Sequence, residues 1–123
     1  MPRGAFFAFT NCADPKRDEE YNRWYSHTHL ADLSGAQGLV SARRFFNVRP
    51  GDGPSQYLAL YEFESADLQA SVDDLSRLAV NTFSQGRHID CLEVGGLYLF
   101  QEVDAARYKP LERLDYPRDL PGA

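Results

Sequence analysis

Asn22, Trp24, Tyr25, His27 and His29 bring an amide, two aromatic rings and two of the chain's three histidines into one short stretch. Imidazole is the side chain whose free pKa lies nearest neutrality, so a histidine here is the first candidate for moving a proton in a site. The two histidines are not equivalent. At about 100° per residue, Asn22, Tyr25 and His29 fall at i, i+3 and i+7 and form one stripe of a helix. His27 falls on the opposite flank, near Glu20 and Arg23. The spacing therefore predicts that His29 looks into a cavity with Asn22 and Tyr25, and that His27 is a surface partner of Glu20. A helix-terminal histidine also reads as a cap for the last carbonyls, and the spacing leaves both readings of His29 open. In the catalytic one, His29 is general base or acid. Asn22 is then a donor to a substrate oxygen or enolate, and the Tyr25 hydroxyl helps to orient that oxygen.

Other residues supply candidate walls. Trp24 reads as core that borders the pocket. Tyr57, Tyr61 and Phe63 alternate onto one face of a strand, and Tyr98 shares a face with Phe100. Together they suit a pocket for a planar phenolic ligand. Arg43 and Arg44 are adjacent on a strand, so they point to opposite faces. The spacing does not say which turns inward. Arg44 is the substrate-binding candidate, and an inward arginine needs an anion or a carboxylate such as Glu62. His88 and Asp90 read as loop surface. There is no Gly-x-Ser-x-Gly, no activating context for a cysteine, and no Gly-x-Gly-x-x-Gly after the first strand. Cys12 and Cys91 read as two reduced thiols. A helix splays His27 from His29, and no further ligands complete a metal set. We expect neither metal nor cofactor.

The 123 residues suffice for one domain. At 43% hydrophobic and 13% aromatic, the chain is not of the disordered class. Net charge is -5 with scattered basic residues, which gives no nucleic-acid footprint. No apolar run reaches membrane-span length, and the opening Met1 to Phe9 lacks a convincing signal cleavage site. A cytoplasmic location is the expectation.

The elements that must position these residues read in the order β-α-β-β-α-β. Strands are expected at Gly4–Thr10, Leu39–Val48, Gln56–Glu64 and Glu93–Val103. Helix one is expected at Pro15–Leu30, with Asp14 as N-cap and Pro15 at the first position. Helix two is expected at Ala66–Gln85, with Ser65 as N-cap, Gly86 as stop and a stripe of Leu68, Val72, Leu75, Leu78, Ala79 and Phe83. Gly95-Gly96 reads as a bulge or a close backbone approach. The pattern predicts an α+β, ferredoxin-like fold: a four-stranded antiparallel sheet with both helices on one face. That sheet is apolar on both sides. Phe7 and Phe9 alternate with Phe6 and Ala8, Leu58 and Leu60 with Tyr57, Ala59, Tyr61 and Phe63, and Leu97 and Leu99 with Tyr98 and Phe100. The two helices can cover only one face, which predicts a homodimer closing over the other. Residues 1–103 read as the domain. Residues 104–123, with Pro110, Pro117 and Pro121 among Tyr108, Leu111, Leu114, Tyr116 and Leu120, read as an extended tail packing on the domain or the partner subunit.

The chain also resembles the EthD-like group of the dimeric α/β-barrel superfamily. The matching residues are Asp14-Pro15, Glu20-Tyr21-Asn22-Arg23-Trp24-Tyr25, His29-Leu30-Ala31-Asp32-Leu33 and Gly38-Leu39-Val40-Ser41-Ala42-Arg43-Arg44-Phe45. Ala31 stands where the motif has proline, and Leu39 where it has an aromatic. The motif places its histidine at His29, which favours the functional reading. The resemblance implies a dimeric α/β barrel and a broad range of activities: cofactor-free quinone-forming monooxygenases, polyketide cyclases and dehydratases, muconolactone isomerases, haem-degrading enzymes and accessory proteins of degradation pathways. A shared fold does not transmit a reaction. The expectation is a cofactor-independent enzyme acting by His-mediated proton transfer, as cyclase, dehydratase, isomerase or lyase, on an aromatic, polyketide-like or lactone-like small molecule. The alternatives are a cofactor-free monooxygenase of phenols and a non-catalytic binding protein of a degradation pathway. A haem site with His29 as axial ligand ranks below these, and a colourless preparation sets it aside.

Overall fold

The computed structural model describes residues 1–112. Strands β1 (Arg3–Cys12), β2 (Leu39–Phe46), β3 (Tyr57–Glu64) and β4 (Leu92–Gln101) form one antiparallel sheet in the order β2-β3-β1-β4. The order of elements and the ferredoxin-like class agree with the sequence reading. Alternation of small and large apolar residues makes β1 a central strand: Phe6, Ala8, Thr10 and Cys12 are buried on the helix side. Tyr61 and Ala59 stand beside Phe6 and Ala8 on β3, and Leu99 and Leu97 beside them on β4.

The first helix starts as expected and then departs from regularity. Asp14 accepts a hydrogen bond from the Lys16 N–H, with Pro15 opening a 3-10 turn, Pro15–Arg17. α1 (Asp18–Trp24) follows, with three acidic residues at its positive end. The segment Tyr25–His29 then widens into a π-helical turn, in which the Leu30 N–H bonds to the Tyr25 carbonyl. α2 (Leu30–Leu33) resumes the ordinary pitch, so the helix runs past the expected end at Leu30. π turns are rare, and they rephase every side chain that follows.

The second helix, α3 (Leu68–Ser84), is capped by Asp67, whose carboxylate accepts from the Ala70 N–H. Ser65 is not its cap. Its hydroxyl instead accepts from the Asp67 N–H and from the Ser71 hydroxyl, closing the turn that precedes the helix. Gly86, at φ +79°, ends it as expected. Leu68, Val72 and Leu75 bury the apolar stripe against the sheet. β2 stops at Phe46, short of Val48, because Asn47 leaves the strand to organise the loop: its amide reaches the Asp52 and Ser55 carbonyls, and its oxygen accepts from the Arg49 N–H. Gly38 has φ +80°, and a Cβ there would lie 2.7 Å from the Glu64 carbonyl oxygen, so only glycine starts β2 here. The Gly95-Gly96 pair forms a bulge against the Phe9–Thr10 step of β1.

The face opposite the helices is apolar and uncovered. Phe7 packs edge-on to Phe100, and Phe9 to Tyr98. Tyr98 and Phe100 are more than half exposed. Arg43 lies on this face in a salt bridge with Glu62, which also accepts from Ser41. After β4 the chain turns at Asp104, whose carboxylate accepts from the Ala106 and Arg107 N–H groups, and Tyr108 and Leu111 are exposed. The remainder of the expected tail, with Leu114, Tyr116, Pro117, Leu120 and Pro121, lies outside the described residues. Among the described residues no helix is long and apolar enough to cross a membrane.

Candidate functional site

A cavity of about 150 Å³ lies between the sheet, the π turn and α3. Its walls come from Phe6, Ala8 and Thr10 of β1, Tyr61 of β3, Leu92, Val94 and Leu97 of β4, and Leu75, Ala79 and Phe83 of α3. Tyr25 and His29 enter it from the π turn. Engineered apolar cavities of about this volume hold one aromatic ring.

His29 is buried, and among the described residues its Nδ1 has no hydrogen-bond partner. A buried polar atom left unpaired costs about 1–3 kcal/mol, so an orphan of this kind calls for a reason. The ring packs among aromatics: it stacks on Trp24 at 4.8 Å, meets Tyr25 edge-on at 4.9 Å and lies 5.3 Å from Phe83. Burial lowers its pKa to about 4. Asp32 pulls the other way, and the Arg44 charge reinforces the drop. The imidazole is thus neutral at physiological pH. Asp32 is held ionised by a two-pronged salt bridge from Arg87, at 2.8 and 2.9 Å.

The Tyr25 and Tyr61 hydroxyls lie 3.3 Å apart. Burial raises both above the ordinary tyrosine value, so both remain hydroxyls able to donate. Behind Tyr25 sits Arg44, the arginine that turns to the helix side. Its guanidinium lies over the Tyr25, Tyr57 and Tyr21 rings at 4.6, 5.2 and 5.6 Å. The expected partnership with Glu62 belongs to Arg43 instead.

The structure thus brings together His29, Tyr25 and Tyr61, with Trp24 stacked behind His29. It does not bring in Asn22. The Asn22 amide donates to the Asp18 carbonyl and to the Tyr57 hydroxyl, which itself donates to Asp18. The i, i+3, i+7 stripe assumed 3.6 residues per turn throughout, and the π turn breaks that phase between Asn22 and His29. Tyr57 belongs to this second cluster. Phe63 is core, beside Gly4 of β1 and Leu39 of β2, and Tyr98 is on the opposite face of the sheet. His27 is exposed as expected, but Glu20 is bonded to Arg17, which also holds Asp90. Phe83 reads in the sequence only as part of the helix-two stripe, and Thr10 only as the end of strand one. The Asp32–Arg87 salt bridge had no sequence signal, since 55 residues separate its partners.

Neither a protein-family model nor a curated protein sequence matches the chain. Solved structures do. A putative antibiotic biosynthesis monooxygenase from Bordetella bronchiseptica is 14% identical, with 84% of this chain and 99% of that one covered at a TM-score of 0.61. An ethyl tert-butyl ether D (EthD) family protein from Bacillus halodurans is 16% identical, with 83% and 99% covered at 0.51. A DABB family protein with a ferredoxin-like fold from Mesorhizobium loti is 14% identical, with 85% and 98% covered at 0.53. The chain has the ferredoxin-like fold of these proteins, and its resemblance to the EthD-like group holds at the level of fold.

Proposed function

We propose that this protein is a small cofactor-independent enzyme that carries out His-mediated proton transfer on an aromatic, polyketide-like or lactone-like molecule. The observation that carries this reading is a neutral, buried His29 that lines an apolar cavity and whose Nδ1 has no hydrogen-bond partner among the described residues. A ligand hydroxyl or acidic C–H that reaches the imidazole completes its hydrogen bonding. His29 takes the proton, and the Tyr25–Tyr61 hydroxyl pair donates to the oxygen on which charge develops. Return of the proton at another atom gives isomerisation, cyclisation or dehydration. The anion formed beside His29 offsets the desolvation that makes the free imidazole a weak base.

That weakness also supports a second reading. A base with a pKa near 4 is a good hydrogen-bond partner before it is a good proton acceptor, which suits a binding protein. Incubation with single-ring phenols, β-dicarbonyl aromatics and unsaturated lactones, with and without oxygen, tests both. Turnover abolished by His29→Ala supports the enzyme, and oxygen-dependent turnover makes it a monooxygenase. Saturable binding without turnover supports the binding protein, and no binding of any class overturns both.

The uncovered sheet face supports a homodimer. Two such faces closing on each other would bury Phe7, Phe9, Tyr98 and Phe100, with residues 104–123 lying along the domain or the partner subunit.

A further inference from the structure

Among the described residues, Arg44 has no carboxylate partner. Its Nη1 donates to the Ser26 hydroxyl at 3.0 Å and to the Asn22 carbonyl at 3.3 Å. Its Nε and Nη2 are buried and have no hydrogen-bond partner among the described residues. Tyrosine rings surround the guanidinium instead, with Tyr25 nearest at 4.6 Å. Cation–π contact stabilises such a placement, yet a buried cation without a carboxylate is a costly packing element. Its position indicates what it does. Arg44 does not line the cavity, but Tyr25 spans the gap between them, with the guanidinium over its ring and the Tyr61 hydroxyl 3.3 Å from its own.

The other charges near the cavity do not cancel this one. From α2 comes Asp32, already bonded to Arg87 of the loop after α3. At the start of α1, Asp18 accepts from Tyr57 and Asn22. β1 contributes Thr10, bonded to Tyr21, and β3 contributes the Tyr61 phenol. The groups that β4 and α3 place on the cavity wall carry no charge. Bonded only to neutral donors, Asp18 keeps its charge and acts on Tyr57, whereas the charge acting on the Tyr25 and Tyr61 hydroxyls is that of Arg44, which favours an anion there.

Taking the cavity beside His29 as the ligand site, we propose that Arg44 is a positioning residue: acting through the Tyr25 ring, it holds the Tyr25–Tyr61 hydroxyl pair toward the ligand and biases the cavity toward the ionised phenolate or enolate form of that ligand. Phenolic and enolic ligands are then preferred over equally sized arenes that have no acidic hydroxyl.

4-Nitrophenol tests this, because its phenol and phenolate differ in colour. It is titrated into the full chain and into Arg44→Met, Arg44→Lys, Ser26→Ala and His29→Ala at a pH where the free probe is mostly neutral. The expected result is a phenolate spectrum for the probe bound to the parent protein. Arg44→Met lowers the bound phenolate-to-phenol ratio roughly tenfold or more while the neutral probe still binds, the equivalent of at least one unit in the probe's bound pKa. Arg44→Lys keeps most of the ratio. Ser26→Ala, which removes the Nη1 anchor at an exposed position, gives a loss of a few fold. A neutral probe on the parent protein overturns the proposal, as does an unchanged ratio in Arg44→Met. If Arg44→Met fails to fold, an unchanged ratio in Ser26→Ala overturns it. Neutral-probe binding that His29→Ala abolishes would remove the role of Arg44 and leave the cavity reading intact. No binding to any variant overturns both.

Discussion

Trp24 and His29 lie five residues apart in the chain and stack face to face, their rings 4.8 Å apart and inclined by 11°. In a straight α-helix, residues at i and i+5 are separated by about 140° around the axis. The π turn at Tyr25–His29 closes much of that angle. Phe83 completes a triangle, 6.1 Å from Trp24 and 5.3 Å from His29. The indole N–H is fixed on the Arg87 carbonyl at 3.0 Å, which sets the plane of the stack.

Trp24 is the chain's one tryptophan, so its emission reports on His29. Acid titration should quench it with a midpoint near pH 4, as the stacked imidazole becomes charged. His29→Gln should remove that transition. A midpoint near 6.5, the ordinary histidine value, would mean that the ring is solvated rather than held in the stack.

The same group links stability to pH. His29 has a folded-state pKa depressed from 6.5 to about 4, so between these values the unfolded chain binds more protons than the folded one. Its contribution is fully present above pH 6.5, falls as pH drops toward 4, and changes no further below that. The upper bound is about 3 kcal/mol, at 1.36 kcal/mol per unit. Thermal unfolding of the parent and of His29→Gln, compared from pH 7 to pH 4, should show the difference between them shrinking over this window. A constant offset would exclude the linkage.

The two histidines should separate cleanly. His29→Ala should reduce turnover of a processed substrate by about 10²–10⁴-fold, the usual contribution of a general base or acid. His27→Ala should leave it within about twofold, because that ring is exposed. The reverse pattern would move the site to the flank bearing Glu20 and Arg23.

The π turn itself is open to test. Deleting exposed His27 removes one residue from the wide turn and favours regular α-helix through it. The expected product is folded by circular dichroism but has lost the acid quenching of Trp24 and any activity that depends on His29. Retained quenching would show that the stack does not need the π turn.

The uncovered face predicts a particle of about twice 13.9 kDa in sedimentation at micromolar concentration. Phe100→Arg, in the exposed aromatic patch, should shift it to a monomer. A parent protein that is already a well-folded monomer would rule out the dimer.

Much of the fold was legible because alternation on β1 and β3 and the 3.6-residue stripe of α3 are direct imprints of burial. The two-faced apolarity of the sheet was equally visible. What could not be read were features that depend on a partner distant in the chain. Ser65 and Asp67 are both good caps, and only the seating of Ser71 on Ser65 hands the cap to Asp67. Arg43 and Arg44 had to part, but only the register with Glu62 decides which one is paired. His29 and Tyr25 came out inward by stripe logic. Asn22 did not, since nothing in Tyr-Ser-His-Thr-His announces a π turn.

The bulge at Gly95 has a consequence for folding fidelity. Val94 and Leu97 are three residues apart, a spacing that sends side chains to opposite faces of a regular strand, yet both line the cavity. The extra residue opposite the Phe9–Thr10 step reverses the parity of everything after it. Because β4 is apolar on both sides, hydropathy alone would barely oppose a one-residue slip that exchanged Leu97 and Leu99 for Tyr98 and Phe100. Two glycines therefore act as the register lock of this strand. Deleting Gly95 would leave Val94 and Leu97 two apart on a regular strand and keep both inward, whereas a strand straightened with Gly95 still in it would collapse facing the wrong way, with Tyr98 and Phe100 turned toward His29.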